Sequence, residues 1–166
     1  IDPKITAQVC GSYRRGNDTS GDLDVLLMHP DFNNAAKKKK NFLNILPRII
    51  KKLKEQEFLV ADMSNGNVKY MGVCRLPDKN AKARHIDLKL FPTEAFVPAL
   101  LHFTGSAEHN RQMSCIAILN GFMLNEYELR PVGENGTKGD SIPVTCEEDI
   151  FEMLGVPYRE PSQRNL

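Results

Sequence analysis

The segment Asp22–Met28 reads Asp-Leu-Asp-Val-Leu-Leu-Met, and it limits the possible folds because it places two aspartates on an apolar strand. Strand side chains alternate between faces, so Asp22 and Asp24 share one face while Leu23 and Val25 lie on the other. Two carboxylates about 5–6 Å apart repel each other by on the order of 3 kcal/mol at an effective dielectric constant near 20. An isolated Asp-x-Asp pair is more often solvated or capping, but a cation between the carboxylates also removes the repulsion.

A third aspartate favours the cation. The strand predicted at Arg84–Phe91 alternates, with Ile86 and Leu88 on its apolar face and Asp87 on its polar face. Carboxylate oxygens suit hard ions such as Mg²⁺, which proteins bind through one or two carboxylates together with substrate phosphates. Three carboxylates can hold two ions about 3.5–4 Å apart, the arrangement used for in-line displacement at phosphorus.

The turn Gly11-Ser12 ends a predicted strand shortly before the two aspartates. Such a turn into a short helix presents backbone N–H groups to an anion, and Arg14 and Arg15 add fixed positive charge. Plain surface charge is the alternative for the two arginines. A phosphate cradle and a Mg²⁺ platform in one short stretch predict nucleoside triphosphate chemistry.

Periodicity and turn residues predict strands and helices along the whole chain. The predicted strands are Ile5–Cys10, Asp22–Met28, Glu57–Met63, Val68–Leu76, Arg84–Phe91, Phe122–Leu129 and Ile142–Val144. The predicted helices are Lys37–Gln56 with a kink or a start near Pro47, Pro92–His102, Ala107–Asn120, and one that runs from a capping box at Thr145–Glu148 to Leu154.

The charge distribution divides the chain near Thr104. Residues 1–104 carry 17 basic and 11 acidic side chains, whereas residues 105–166 carry 5 basic and 10 acidic ones. This asymmetry indicates contact with a polyanion on one part only. Residues 37–54 contain eight Lys or Arg and no acid, which is typical of a solvated helix face, with phosphate contact as the alternative.

The composition is that of a soluble globular protein, with 41% apolar and 26% charged residues. No stretch approaches the roughly 18 apolar residues of a membrane span, so we expect no membrane association. The four cysteines form no C-x-x-C pair, which favours buried thiols in a reducing compartment over disulfides or a zinc site. Because the chain begins at Ile1 rather than Met, we expect a fragment or a processed product.

Several separated motifs resemble one known family. The stretches CGSYRRG, SGDLDVLL, GVCRLP, FTGS and NEYELRP, which occur in this order, are together similar to the DNA polymerase beta family, the family X polymerases of the nucleotidyltransferase superfamily. The resemblance runs from about residue 5 to Pro161. It implies an α+β fold, with a nucleotidyltransferase palm of mixed or antiparallel sheet and helices at residues 1–104 and a small α+β nucleotide-selecting subdomain, of thumb or fingers type, at residues 105–166.

The resemblance also implies roles for individual residues. Asp22, Asp24 and Asp87 match the family's metal ligands: the first two would bridge two Mg²⁺ ions, for which Mn²⁺ can substitute, and Asp87 would hold the ion at the primer 3′-hydroxyl. The nucleotide-binding positions are Gly11, Ser12, Arg15, Ser20, Gly21, Phe103, Gly105 and Asn110. The positions expected to contact DNA are Lys69, Arg84, His85 and Arg111. The departures from the family pattern are His85 for Arg, His102 for Tyr, Ala107 for an acid, and Ser114 for Arg.

The expected activity is template-directed gap filling in base excision repair, on gapped or primed DNA with deoxynucleoside triphosphates, by a monomeric nuclear enzyme, with the mitochondrion as the alternative location. We expect the family's lyase domain and helix-hairpin-helix segments to lie outside this sequence. A template-independent terminal-type transferase and a small-molecule adenylyltransferase are alternatives, and the FTGS motif disfavours the latter. A third alternative is an inactive DNA-binding module that keeps the fold. The loss of an aspartate would favour it, and all three aspartates are present.

Overall fold

The computed structural model describes residues 2–35, 42–78 and 80–166, so the predicted helix start at Lys37 lies outside the described residues. The chain forms two compact units. The first consists of Ile1–Val9 and Thr19–Thr93, and the second of Cys10–Asp18 and Glu94–Leu166. The division at Thr93 precedes the charge change near Thr104, and the functional boundary predicted there stays a prediction.

The first unit is built on a five-stranded mixed sheet, which agrees with the α+β expectation. Its strands stand in the order β1-β2-β5-β4-β3. Strands β2 and β5 run parallel, whereas the other neighbouring pairs are antiparallel. The strand bounds are β1 Thr6–Val9, β2 Asp22–Met28, β3 Leu59–Asn65, β4 Lys69–Cys74 and β5 Arg84–Phe91.

The helix α2, Ile45–Glu55, covers one face of this sheet. Its apolar side buries Leu46 and Ile50 against the strand residues Leu27 and Leu88, as the helical spacing predicts. Pro47 lies in the first turn, where the backbone N–H groups have no partner within the helix, so a proline there breaks no hydrogen bond. The predicted start near Pro47 is therefore confirmed, and no kink is needed.

The second unit is mainly helical. Its elements are α1 Gly11–Arg14, α3 Phe96–Thr104, α4 Ala107–Leu119, the strands β6 Phe122–Leu124 and β7 Leu129–Pro131, α5 Glu147–Met153 and a 3₁₀ helix at Pro161–Arg164. A 3₁₀ turn at Thr93–Ala95 precedes α3. The core of the unit is formed by Leu101, Met113, Ala117, Leu129, Ile150, Phe151 and Leu154.

The structure corrects the two strands predicted near the end of the chain. Phe122–Leu129 is a hairpin rather than one strand, because the Asn125 side chain accepts hydrogen bonds from the backbone N–H groups of Tyr127 and Glu128 and turns the chain. Ile142 forms only an isolated bridge to Leu129 instead of a strand.

Two smaller predictions are also corrected. The capping box of α5 lies one residue later than predicted, with Cys146 rather than Thr145 at the N-cap and Asp149 rather than Glu148 as its acid, because the Asp149 carboxylate accepts hydrogen bonds from the backbone N–H groups of Thr145 and Cys146. Cys10 and Cys74 are buried as predicted, whereas Cys146 is only half-buried and Cys115 is exposed, because Cys115 lies on the outer face of α4, one turn after Arg111. None of the helices within the described residues is long and apolar enough to cross a membrane.

Candidate active site

Two of the predicted catalytic aspartates lie side by side in the sheet of the first unit. Strands β2 and β5 pair in parallel with Asp24 opposite Asp87 and Asp22 opposite His85. Directly opposed residues share a face, and strand alternation puts Asp22 on that face too, two residues before Asp24. The Asp24 and Asp87 side chains are about a quarter exposed, at 27% and 26%, so both carboxylates can reach a ligand from solvent.

A lysine lies between these two carboxylates. The Lys89 Nζ is 3.1 Å from Asp24 Oδ1 and 3.6 Å from Asp87 Oδ2, and only 15% of the side chain is exposed. An ammonium group shared by two acids relieves the repulsion that the sequence predicts. The place between the carboxylates therefore already accepts a cation.

An open pocket of about 360 Å³ adjoins the aspartates. Its walls are formed by Gly21, Asp22, Met63, Met71, Gly72, His85 and Asp87. Gly72 is required by packing, because a Cβ there would lie 2.3 Å from the hydroxyl oxygen of the buried Tyr70. The pocket thus combines two carboxylates and an imidazole with thioether side chains, a lining that suits a ligand with polar and apolar parts.

The residues present fit a divalent ion that takes further ligands from its substrate. Within residues 2–35, 42–78 and 80–166, no three His, Cys, Asp or Glu side chains lie close enough together to hold a metal ion by themselves. Mg²⁺ does not require three protein ligands, because it keeps several waters and is bound through one or two carboxylates plus phosphates. The Asp24–Asp87 pair, which already accepts a cation, offers such a two-carboxylate site.

The residues expected to contact DNA are distributed over different surfaces. Lys69 pairs in register with Lys89, so Lys69 and His85 lie on the same sheet face as the aspartates and are exposed. Arg84 directly precedes His85 on β5, so strand alternation places it on the opposite face of the sheet, apart from Lys69, His85 and the aspartates. Arg111 forms two hydrogen bonds with Glu108 in α4, of 2.8 and 2.6 Å, and these contacts lower the Glu108 pKa to about 2.

The turn predicted to bind phosphate folds with the second unit. Gly11 begins α1 with a φ of 58°, a conformation that favours glycine, and Ser12 is half-buried in the same short helix. Arg14 donates to Thr104 Oγ1 at 2.6 Å and to both carboxylate oxygens of Glu147, at 3.0 and 2.7 Å. The first arginine of the pair is thus committed to contacts inside the protein.

Glu147 is the centre of a buried ionic network. It is 4% exposed, and it also accepts a hydrogen bond of 2.7 Å from Arg164, which is fully buried. Burial alone would raise the pKa of Glu147, but the hydrogen bonds from Arg14 and Arg164 outweigh burial and lower it. In the same way, burial would lower the pKa of Arg14, and the Glu147 carboxylate raises it.

Arg15 has a different environment from Arg14. Its Nη1 donates to the backbone oxygen of Thr104 at 2.6 Å, and its Nε donates to Asn165 Oδ1 at 2.8 Å. Gly105 adopts a φ of 69°, and a Cβ at this position would lie 3.2 Å from Arg15 Nη1. The predicted nucleotide-binding residues Arg15 and Gly105 are therefore direct neighbours.

The remaining nucleotide-binding candidates lie nearby in sequence. Phe103 is half-buried and meets His102 edge to face, with ring centroids 5.0 Å apart. The Asn110 side-chain amide donates to the backbone oxygen of His102 at 2.6 Å, which fixes its orientation. In the first unit, Ser20 donates to the backbone oxygen of Asp22 at 2.8 Å, next to Gly21 in the pocket wall.

Several residues of these sites are missed by reasoning from the sequence. The sequence does contain a signal for Lys89: it follows Asp87 by two residues, so strand alternation places its side chain on the same face as that carboxylate. Glu147 and Asn165 have no such signal, because their partners Arg14 and Arg15 lie 133 and 150 positions away along the chain. Arg164 has none either, because its partner Glu147 lies 17 positions away in a different element.

Comparison with known proteins agrees with this arrangement. Residues 1–93 match the family described as DNA polymerase beta palm, and residues 99–165 match DNA polymerase beta thumb. The chain is 38% identical to DNA polymerase lambda of Rattus norvegicus over 176 residues, which cover 99% of this chain and 30% of the relative. It is 34% identical to DNA polymerase lambda of Arabidopsis thaliana over 180 residues, 99% of this chain and 32% of the relative.

A more distant relative is DNA-directed DNA/RNA polymerase mu of Homo sapiens, at 27% identity over 194 residues, 98% of this chain and 37% of the relative. The chain spans about a third of the length of these relatives. A mixed palm sheet with carboxylates on neighbouring strands, followed by a mainly helical unit, defines a nucleotidyltransferase fold. The chain belongs to the DNA polymerase beta family, the family X DNA polymerases, and comprises its palm and thumb regions.

Proposed function

We propose that this chain is the polymerising part of an enzyme that fills short gaps in DNA by adding deoxynucleotides to a primer 3′-hydroxyl. The observation that carries the proposal is the Asp24–Asp87 pair, opposed in register on β2 and β5 and already sharing a cationic group. The membership of the chain in a DNA polymerase family supports the same chemistry.

In this proposal Asp22, Asp24 and Asp87 would hold two Mg²⁺ ions, with Asp87 assigned to the ion on the primer side. Mn²⁺ has the same preference for oxygen ligands and can substitute. The bound ions would supply charge stabilisation to the phosphates during displacement. Lys89 has to leave the carboxylates for the site to fill, since one position cannot hold both cations.

The reaction forms one bond and breaks another at the α-phosphorus of the incoming nucleotide. The primer 3′-oxygen bonds to phosphorus, and the bond from phosphorus to the bridging oxygen breaks, which releases pyrophosphate. A carboxylate oxygen of Asp87 would accept the hydroxyl proton, because Asp87 is the acid assigned to the primer side.

The nucleotide is proposed to bind through groups of different chemistry. Backbone N–H groups at Gly11 and Ser12, the Arg15 guanidinium and the Ser20–Gly21 turn would bind phosphates. Phe103 and Gly105 would contact the sugar, and Asn110 the base.

DNA would bind along the basic side chains of the aspartate face. Lys69 and His85 lie on this face, while Arg111 would have to exchange its Glu108 contact for a phosphate. A role in base excision repair, in the nucleus and as a monomer, is the further assignment that we propose for the whole protein.

Sugar selection is a testable part of the proposal. Phe103 and Gly105 would leave no space for a 2′-hydroxyl, so the wild type should incorporate deoxynucleotides in preference to ribonucleotides. Because the mu relative is named a DNA/RNA polymerase, both deoxyribonucleotides and ribonucleotides should be tested as substrates. Measured incorporation of the two sugars should diverge in the wild type and converge in Phe103→Ala, whereas equal use by the wild type would contradict the assignment.

Extension of a primer across a one-nucleotide gap tests the function itself. Incorporation should require Mg²⁺ or Mn²⁺, follow the template base, and stop without a template strand. Extension of a single-stranded primer at a similar rate would indicate a template-independent transferase instead. DNA binding with no extension under any metal condition would indicate an inactive module.

A further inference from the structure

Asn165 and Arg15 hold each other through reciprocal hydrogen bonds. Arg15 Nε donates to Asn165 Oδ1 at 2.8 Å, and Asn165 Nδ2 donates back to the Arg15 backbone oxygen at 3.3 Å. The same Nδ2 also lies 3.5 Å from the Ser162 backbone oxygen. One amide side chain therefore contacts both the guanidinium and the backbone of the arginine predicted to bind phosphate.

These contacts fix the plane of the guanidinium. A guanidinium is rigid and carries five N–H donors, so holding two of its nitrogens sets the direction of the others. Asn165 binds Nε, and the Thr104 backbone oxygen binds Nη1 at 2.6 Å. Among the described residues, the hydrogen bonds of Arg15 use two of the five N–H groups, which leaves the Nη2 edge oriented for an anion.

The residue that precedes Asn165 is anchored. Arg164 is fully buried, donates to Glu147 at 2.7 Å and to the Arg159 backbone oxygen at 2.9 Å, and ends the 3₁₀ helix. Asn165 thus projects from a fixed backbone position. A side chain held in this way can orient a partner, because little of its own freedom remains to be lost.

The chemistry of the partner distinguishes the two adjacent arginines. Arg14 is bound by the Glu147 carboxylate, which neutralises its charge. Arg15 is bound by an amide oxygen and a carbonyl oxygen, both neutral, so its full positive charge is retained. A neutral clamp is the arrangement expected for an arginine that must be oriented and still attract phosphate.

We propose that Asn165 is a positioning residue that orients Arg15 toward the triphosphate of the incoming nucleotide. This inference rests on the proposed function, in which Arg15 binds the triphosphate. Asn165 itself touches no reacting atom. It acts by presenting the Nη2 edge of Arg15 and by leaving the guanidinium charge unpaired.

The experiment compares four variants of the full chain bound to gapped DNA with a dideoxy-terminated primer and Mg²⁺. Dissociation constants are measured for dTTP and for dTMP in Asn165→Ala, Asn165→Asp, Arg15→Ala and the control Asn120→Ala. Asn120 is matched because its amide also bonds backbone oxygens, those of Ile116 and Leu154, in the same unit but away from Arg15. Hydrogen exchange at the Arg15 Nε–H, followed by NMR, measures how well the hydrogen bond to Asn165 protects this group when no nucleotide is bound.

Asn165→Ala should weaken dTTP binding roughly 3- to 10-fold, leave dTMP binding unchanged and accelerate exchange at Arg15 Nε–H. Asn165→Asp should keep exchange slow but also weaken dTTP binding, because its carboxylate neutralises the arginine. Equal losses for dTTP and dTMP, or dTTP binding by Asn165→Ala equal to that of Asn120→Ala, would overturn the inference. If Arg15→Ala binds dTTP like the wild type, the assignment of Arg15 in the proposed function is wrong, and the inference fails with it.

Discussion

At the scale of single residues, Lys89 occupies the place between Asp24 and Asp87 that we propose for a metal ion, so it would compete with that ion. Its ammonium is shared by the two carboxylates, at 3.1 and 3.6 Å. Lys89→Met removes this competitor and should tighten Mn²⁺ binding roughly 2- to 5-fold, the equivalent of one partly exposed ion pair. Electron paramagnetic resonance of free Mn²⁺ measures the affinity directly.

The matched control for this change is Lys82→Met, an exposed lysine in the loop before β5. This variant removes the same positive charge from the chain but leaves the Lys89–Asp24 contact in place. An equal tightening in both variants would show a general charge effect and would contradict a specific competition at the carboxylates.

His109 is a second single residue with a measurable consequence. It is completely buried in α4, and within the described part of the chain neither ring nitrogen has a hydrogen-bond partner. Burial lowers the pKa of His109 from its ordinary 6.5 to about 4, and the charges of Arg164 and Arg159 act in the same direction while Glu147 opposes them. The ring packs on Phe151, with centroids 5.9 Å apart.

The sign of the pH effect follows from this lowered pKa. Between pH 6.5 and about 4 the unfolded chain binds a proton that folded His109 does not, so stability falls as the pH falls, by up to about 3 kcal/mol. His109→Phe should remove this part of the pH dependence. Urea unfolding of both proteins at pH 7 and pH 5 measures it, and parallel pH dependences would contradict the prediction.

At the scale of elements, Glu147 ties three segments of the second unit together. As the first residue of α5 it binds Arg14 of α1 and Arg164 of the last 3₁₀ helix. Glu147→Gln would leave the buried Arg164 guanidinium and the partly buried Arg14 guanidinium without a counter-charge, and breaking a buried pair costs about 3–5 kcal/mol. We expect a loss of this size in the free energy of unfolding, measured by urea denaturation at pH 7.

The neighbouring exposed residue provides the control, since Glu148→Gln should change stability by less than about 0.5 kcal/mol. The pKa of Glu147 is lowered from 4.5, so its contribution is complete above that pH and is lost as the pH falls through the lowered pKa. A Glu147→Gln protein as stable as Glu148→Gln would show that the network does not stabilise the unit.

Local patterns predict some elements accurately and others poorly. The bounds of β2 and β5 follow from the sequence, because β5 alternates polar and apolar residues, and β2 passes from two alternating aspartates into an apolar run that ends before His29-Pro30. The segment Phe122–Leu129 was predicted as one strand because its apolar residues mask the turn that the Asn125 side chain makes. The competition between a strand and such a turn is decided by hydrogen bonds that hydrophobicity does not encode.

At the scale of the whole molecule, contacts distant in sequence decide what could be predicted. The three aspartates were found from two local strand patterns and a family resemblance. The shared Lys89 ammonium depends on the register of β2 against β5, and the Asn165–Arg15 clamp joins residues 150 positions apart. Neither the register nor the clamp has a local sequence signal, so only the three-dimensional structure reveals them.

The central claim is that Asp22, Asp24 and Asp87 support nucleotidyl transfer, and the most direct test is single-turnover insertion into a one-nucleotide gap. Asp24→Asn keeps the size of the side chain but removes the charge that a metal ion needs, so the rate should fall at least about 1000-fold. Asp78→Asn serves as the control, because the Asp78 carboxylate lies in the loop before β5 and accepts a hydrogen bond from the Asn80 backbone N–H; this variant should insert within about twofold of the wild type. Insertion by Asp24→Asn at the rate of this control would contradict the account.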